Sequence, residues 1–145
     1  MFSAALRNSI FALLMLASAC AGVEAPQPDM RQLGTETMDL IYREKFGEAE
    51  EAAKKIIKKY PDHPAGFFFF AVVLDAWAEY FQSNKKEDEF YRYCDLGTAK
   101  GQDLESRNPR DPWVKFFLGG LEGLKGNYEK RYERWITAFR YGWRS

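Results

Sequence analysis

Four kinds of feature in this sequence could do chemistry: one histidine, two cysteines, some close acid pairs and a cluster of glycines. A cysteine thiolate beside an imidazole base would be a nucleophile for acyl transfer. His63, however, stands in the proline-flanked turn "PDHP", and Cys94 lies among Tyr91, Tyr93 and Leu96, the setting of a packed small hydrophobe. A lone histidine and a lone downstream cysteine also supply no set of imidazoles or thiolates with zinc-ligand spacing. The acid pairs Asp88-Glu89 and Asp103-Glu105 fall on surface-like helix faces, where solvation accounts for them. Gly119, Gly120 and Gly123 in "LGGLEGL" lie inside a helical pattern, so close helix packing explains them better than a phosphate-cradling loop. There is no nucleophile elbow and no EF-hand loop. The expectation is a non-enzyme with no catalytic residue, no cofactor and no metal.

The elements that would position these residues follow from the totals and the pattern. A chain of 145 residues makes one compact domain. Lys+Arg and Asp+Glu both number 21, a balance that argues against attraction of the whole chain to nucleic acid or to an anionic membrane. The basic excess after Arg107 reads as a solvated face with cations near helix C-termini.

The N-terminal segment reads as an address. Arg7 precedes an apolar run from Ile10 to Ala19, and small residues follow, as in a secretory signal peptide. The run is well short of the roughly 20 residues a membrane span needs. "LASAC", residues 16–20, resembles the bacterial lipobox, in which the cysteine is acylated, although Ala17 stands where Leu, Val or Ile is usual. Lipidation at Cys20 and ordinary cleavage after Ala19 or Ala21 both remain open. The expected organisation is a signal peptide at 1–19, a spacer at 20–34 and a helical domain at 35–145. The expected location is the periplasm, with any membrane contact made through a lipid on Cys20.

Beyond the spacer the apolar positions recur at helical spacing, and prolines punctuate them. A first helix carries Met38, Ile41 and Tyr42 and fades at Phe46-Gly47. "EAEEAAKKIIKKY" forms a second and "PDHP" stops it. The third runs from about Ala65 to Phe81, the fourth from Glu87 to Arg107, and the fifth from about Trp113 to Lys125. The turn "GN" leads into a sixth, from Tyr128 to about Tyr141. The run "FFFF" belongs to the third helix, where Phe67, Phe70, Ala71, Leu74, Ala78 and Phe81 make one stripe and Phe69, Val73, Ala76 and Tyr80 a second. A helix apolar over most of its circumference must be contacted on two sides, so the third is a core helix. Phe70 and Leu118 are expected at its buried helix contacts.

The punctuation hides a repeat. Counted from Pro64, the pair Phe70-Ala71 falls in the places that Leu118-Gly119 occupy when the count starts from Pro112, with the aromatic Phe67 before it and Leu74 after it. Ala49 and Ala138 fill small-residue places, Gly126 and Tyr128 match a turn, and Arg131 and Gly97 depart from the pattern. On these residues the chain resembles tetratricopeptide-like helical-hairpin repeats, and "WVKFFLGGLEGLKGNYEKRYERW" is similar to exported bacterial proteins of that type. The resemblance implies an all-α fold of antiparallel hairpins stacked as a short right-handed solenoid. It also implies a protein-binding scaffold of the cell envelope, with a peptide or protein segment held in a concave aromatic groove. Phe68, Val72, Asp75, Trp113, Phe116 and Gly120 would line that groove and, with one carboxylate, suit an apolar or weakly cationic segment. An accessory subunit of an envelope enzyme or hydrolase is the alternative. At the C-terminus, Trp135, Ile136, Phe139 and Trp143 are too many large apolar groups for one inward stripe. They form an expected docking face for another protein or a second copy. The similar exported proteins run on through further helices, so a shortened member of a longer family is the rival explanation.

Overall fold

Proline opens the first helix of every hairpin. The computed structural model describes residues 27–143, and among them the chain is all helix. The elements are α1 (Pro28–Tyr42), α2 (Phe46–Lys59), α3 (Pro64–Tyr80), α4 (Glu87–Arg107), α5 (Pro112–Arg131) and α6 (Trp135–Gly142). Pro28, Pro64 and Pro112 sit at the start of α1, α3 and α5, where a missing N–H would have had no partner in the helix. Side chains complete two of these starts. His63 Nδ1 accepts from the Ala65 N–H at 3.2 Å, and Asp111 accepts from Trp113 N–H at 2.9 Å and Val114 N–H at 3.4 Å.

The same three helices also end alike. Glu44, Gln82 and Glu133 take φ of 60°, 47° and 59°, in the left-handed region. The next amide in each turn reaches back to the helix: Lys45 to Leu40, Ser83 to Ala78, Arg134 to Glu129. This is the six-to-one hydrogen bond of a Schellman closure. α2 and α4 stop differently, at Tyr60 and Asn108, each followed by a proline. Two alternating kinds of joint thus divide the chain into hairpins α1–α2, α3–α4 and α5–α6.

The hairpins stack. α3 packs on both helices of the first hairpin, and α5 packs on both helices of the second. This puts α3 at the centre, as its two apolar stripes require. Phe67, Phe70, Ala71, Val73, Leu74 and Ala78 are all buried. Phe70 stacks on Tyr93 at 4.0 Å between centroids, and Phe90 stacks on Tyr128 at 4.4 Å. Tyr80 and Phe81 end the stripes half exposed, leaning on Phe46 at 5.4 and 5.9 Å. Leu118 is not at the core. It lies partly open in the α4–α5 seam, and Leu121, almost one turn on, is the fully buried residue.

Three boundaries differ from expectation. α1 begins at Pro28, ahead of the expected domain start at residue 35, and its N-terminus is tied down. Asp29 accepts from Lys59 Nζ and, at 2.5 Å, from the hydroxyl of Tyr60 just past α2, contacts that hold its carboxyl down to about 2. α1 ends at Tyr42, and Phe46 and Gly47 already belong to α2. α5 runs through Gly126-Asn127 without a turn, so α6 starts at Trp135 and not at Tyr128. Gly126 serves a crossing instead: a Cβ built there would lie 3.4 Å from both the Ala138 carbonyl oxygen and Tyr141 Cβ of α6. The expected signal peptide and Cys20 lie outside the described residues. Among the described residues no helix is long and apolar enough to cross a membrane.

Candidate protein-binding groove

The first helices of the three hairpins share one side of the stack, and a cleft of about 350 Å³ opens there between α1 and α5. Phe69 of α3 forms its floor. Met30, Arg31, Gly34, Thr35 and Met38 make the α1 wall, and Trp113, Phe116 and Phe117 the α5 wall. The floor is set by close approach: a Cβ built on Gly34 would sit 2.5 Å from Phe69 Cζ, so the phenyl ring rests on bare α1 backbone. Met30 and Phe117 are buried, whereas Phe116 stands 57% exposed at the rim.

The six groove residues expected from the sequence divide into four groups. Trp113 and Phe116 line the cleft. Phe68 and Gly120 lie behind it. The Phe68 ring fills the space over Gly120, where a Cβ would come within 2.7 Å, and it meets Phe117 at 5.5 Å and Phe116 at 6.2 Å. It therefore braces the rim and does not face an open groove. Val72, half buried on α3, does not line the cleft.

Asp75 belongs to another site altogether. Its Oδ1 accepts from Arg131 Nη1 at 2.8 Å, while Arg131 Nη2 reaches Glu79 at 3.4 Å. Burial pushes the Asp75 carboxyl above its ordinary range, against the pull of Arg131. The expected preference for a weakly cationic segment therefore has no free carboxylate behind it. The charge in the cleft wall is Arg31, exposed and in no ion pair among the described residues. On the α5 wall, the Trp113 Nε1–H is buried without an acceptor among the described residues. Such orphan donors are uncommon in folded proteins.

Phe69 and the α1 wall escaped the sequence pattern. The sequence pattern puts Phe69 in a second core stripe and the residues up to 34 in a spacer. One available signal was Gly34, a glycine inside a helical stretch with no turn to explain it.

The residues first considered for chemistry are separated. The His63 ring caps α3 and lies edge-on to Phe117 at 5.6 Å, and burial lowers its pKa below the ordinary value of 6.5. Cys94 is fully buried in the cluster around Phe70 and Phe90, where burial drives its thiol far above the usual range. Among the described residues no group of three or more His, Cys, Asp or Glu is placed to hold a metal. Asp103 pairs with Arg107 one turn away on the same helix face.

The four residues of the expected docking face are all open. Trp135 is 59% exposed, Ile136 88%, Phe139 72% and Trp143 84%. No protein-family model matches the chain, and neither the curated proteins nor the solved structures include one significantly similar to it.

Proposed function

We propose that this chain is a tetratricopeptide-like, non-enzymatic scaffold that holds a short segment of another protein in the cleft between α1 and α5. The observation that carries the reading is the composition of that cleft. Two flexible methionines and four aromatic rings surround about 350 Å³, with one guanidinium on the α1 wall that is in no ion pair among the described residues. That volume is near the lower end for ligand sites and accommodates one or two large side chains rather than a long peptide. Methionine lends the wall adaptability and the aromatics lend contact area. Arg31 directs the choice towards a segment with a carboxylate beside its apolar anchor, since its guanidinium can pair with a carboxylate in a bidentate fork. The buried Trp113 N–H would gain an acceptor if a bound carbonyl drew the indole outward.

Selection from a displayed peptide library against the folded protein tests this. The enriched peptides should carry a large apolar residue next to Asp or Glu. Phe116→Ser should weaken them roughly tenfold or more, with the melting temperature unchanged because Phe116 is mostly exposed. Peptides that bind Phe116→Ser and Arg31→Glu as well as they bind the parent would discard the reading. The location proposed with it, the bacterial envelope with cleavage before Cys20 and a lipid on that cysteine, is checked by the mass of the mature N-terminus. An intact Met1 in envelope material would end the export proposal.

A further inference from the structure

Among the described residues the stacking rule of this fold leaves one joint unfilled. α3 lies in the groove of hairpin α1–α2, and α5 lies in the groove of hairpin α3–α4. The third such groove, between α5 and α6, is an open cleft of about 820 Å³. The glycines record the difference. Gly34 and Gly120, at filled joints, would each drive a Cβ into a phenylalanine ring, but a Cβ at Gly123, on the wall of the open cleft, would meet nothing within 4 Å. Opposite Gly123, α6 is apolar on two sides. Ala138 and Tyr141 pack on α5 at Gly126, while Ile136 and Phe139 line the cleft and stand 88% and 72% exposed, and Trp143, just past the helix, stands 84% exposed. A helix of that kind is built to be contacted twice.

We infer that the α5–α6 cleft is the seat of an amphipathic helix from a different protein, one with aromatic side chains on its apolar face and carboxylates along the edge. The helical shape follows from continuity with the two filled joints. The charge follows from the lining: among the described residues Lys130 is exposed there and in no ion pair, and no carboxylate lines the cleft, while Arg140, also in no ion pair among them, stands exposed elsewhere on α6. A second copy of this chain does not supply such a helix. Its α1 shows Gln32, Glu36 and Asp39 outward, a polar face. Its exposed α6 would bring Lys130 and Arg140 against their own kind. A bilayer surface suits an amphipathic helix with one continuous outward face, not a recessed cleft with glycine in its wall.

Two stapled helical peptides of about 15 residues, alike in a Phe/Leu face and flanked by Glu in one and by Lys in the other, test the inference. Binding is followed by NMR at the Gly123 amide and the Trp135 and Trp143 indoles of the purified protein. The Glu-flanked peptide should shift these signals and bind roughly tenfold or more tightly than the Lys-flanked one. Gly123→Leu, which fills the open space beside the helix, should abolish binding while leaving the melting temperature intact. Lys130→Glu with Arg140→Glu should reverse the preference between the peptides. Equal affinity for both peptides, binding by neither, or binding that survives Gly123→Leu would overturn the inference. So would the same shifts produced by protein concentration alone or by vesicles of phosphatidylglycerol and phosphatidylcholine.

Discussion

Arg131 stands where the repeat pattern wanted a small residue, and its partners explain why a large one is kept. The guanidinium spans from α5 to Asp75 and Glu79 on α3, and the Asp75 side chain is only 11% exposed. Removing one member of a buried ion pair strands the other, so Arg131→Ala should cost roughly 3 kcal/mol at neutral pH. The sign of its pH dependence follows from Asp75. Its carboxyl is raised by burial, and without the arginine it rises further. A group with a raised folded value favours the native state when protonated, so the loss should shrink as pH falls towards about 4 and be largest at neutrality. Urea titrations across that range measure it, and a loss independent of pH would show that Asp75 is not the stranded group. His63 offers the opposite sign. Its ring must be neutral to accept from the Ala65 N–H, and burial lowers its pKa below 6.5. The native state therefore resists a proton that the unfolded chain binds, and stability that is full above 6.5 declines as pH falls below it. His63→Asn keeps an acceptor at the cap and should flatten the difference in urea midpoint between about pH 7.5 and 5.5.

The three Schellman turns carry Glu44, Gln82 and Glu133 where glycine is the usual occupant. A side chain in the left-handed region costs about 1 kcal/mol, so Glu44→Gly, Gln82→Gly and Glu133→Gly should each raise stability by about that amount. Thermal melts of the three variants check this, and a fall in all three would mean that the side chains stabilise the turns in some other way. The same turns show why sequence reading placed some helices well and others badly. The end of α2, the start of α3 and the end of α4 were legible because prolines mark them. The α5–α6 joint was not, because its glycine is in the wrong place for a turn signal: Gly126 sits at a helix crossing, while the turn at Glu133 has no glycine at all. The start of α1 was hidden by prolines that looked like a spacer, although Pro28 is the first residue of the helix. The groove was half legible for a related reason. Trp113 and Phe116 follow from position on α5, but the α1 wall depends on how deeply Phe69 presses against Gly34. No periodicity reports that depth.

Every described helix touches only helices one or two places away in the chain, so the fold approaches a one-dimensional array. Cooperativity in such an array depends on how many neighbours each unit has, and the units are not equal. α3 is held by four other helices and α6 by one. Arg134, bonded to Glu87 at 2.8 Å, ties the turn before α6 back to α4. Backbone amides would report this inequality as a clock. In deuterated buffer the α6 amides should exchange through local opening long before those of α3, which should wait for global unfolding. Equal protection of the two helices would mean that the array opens as a single unit. Arg134→Ala should quicken the α6 exchange and leave α3 untouched, and an occupant of the α5–α6 cleft should slow it. The end of the stack would then be a segment whose order is set by the company it keeps.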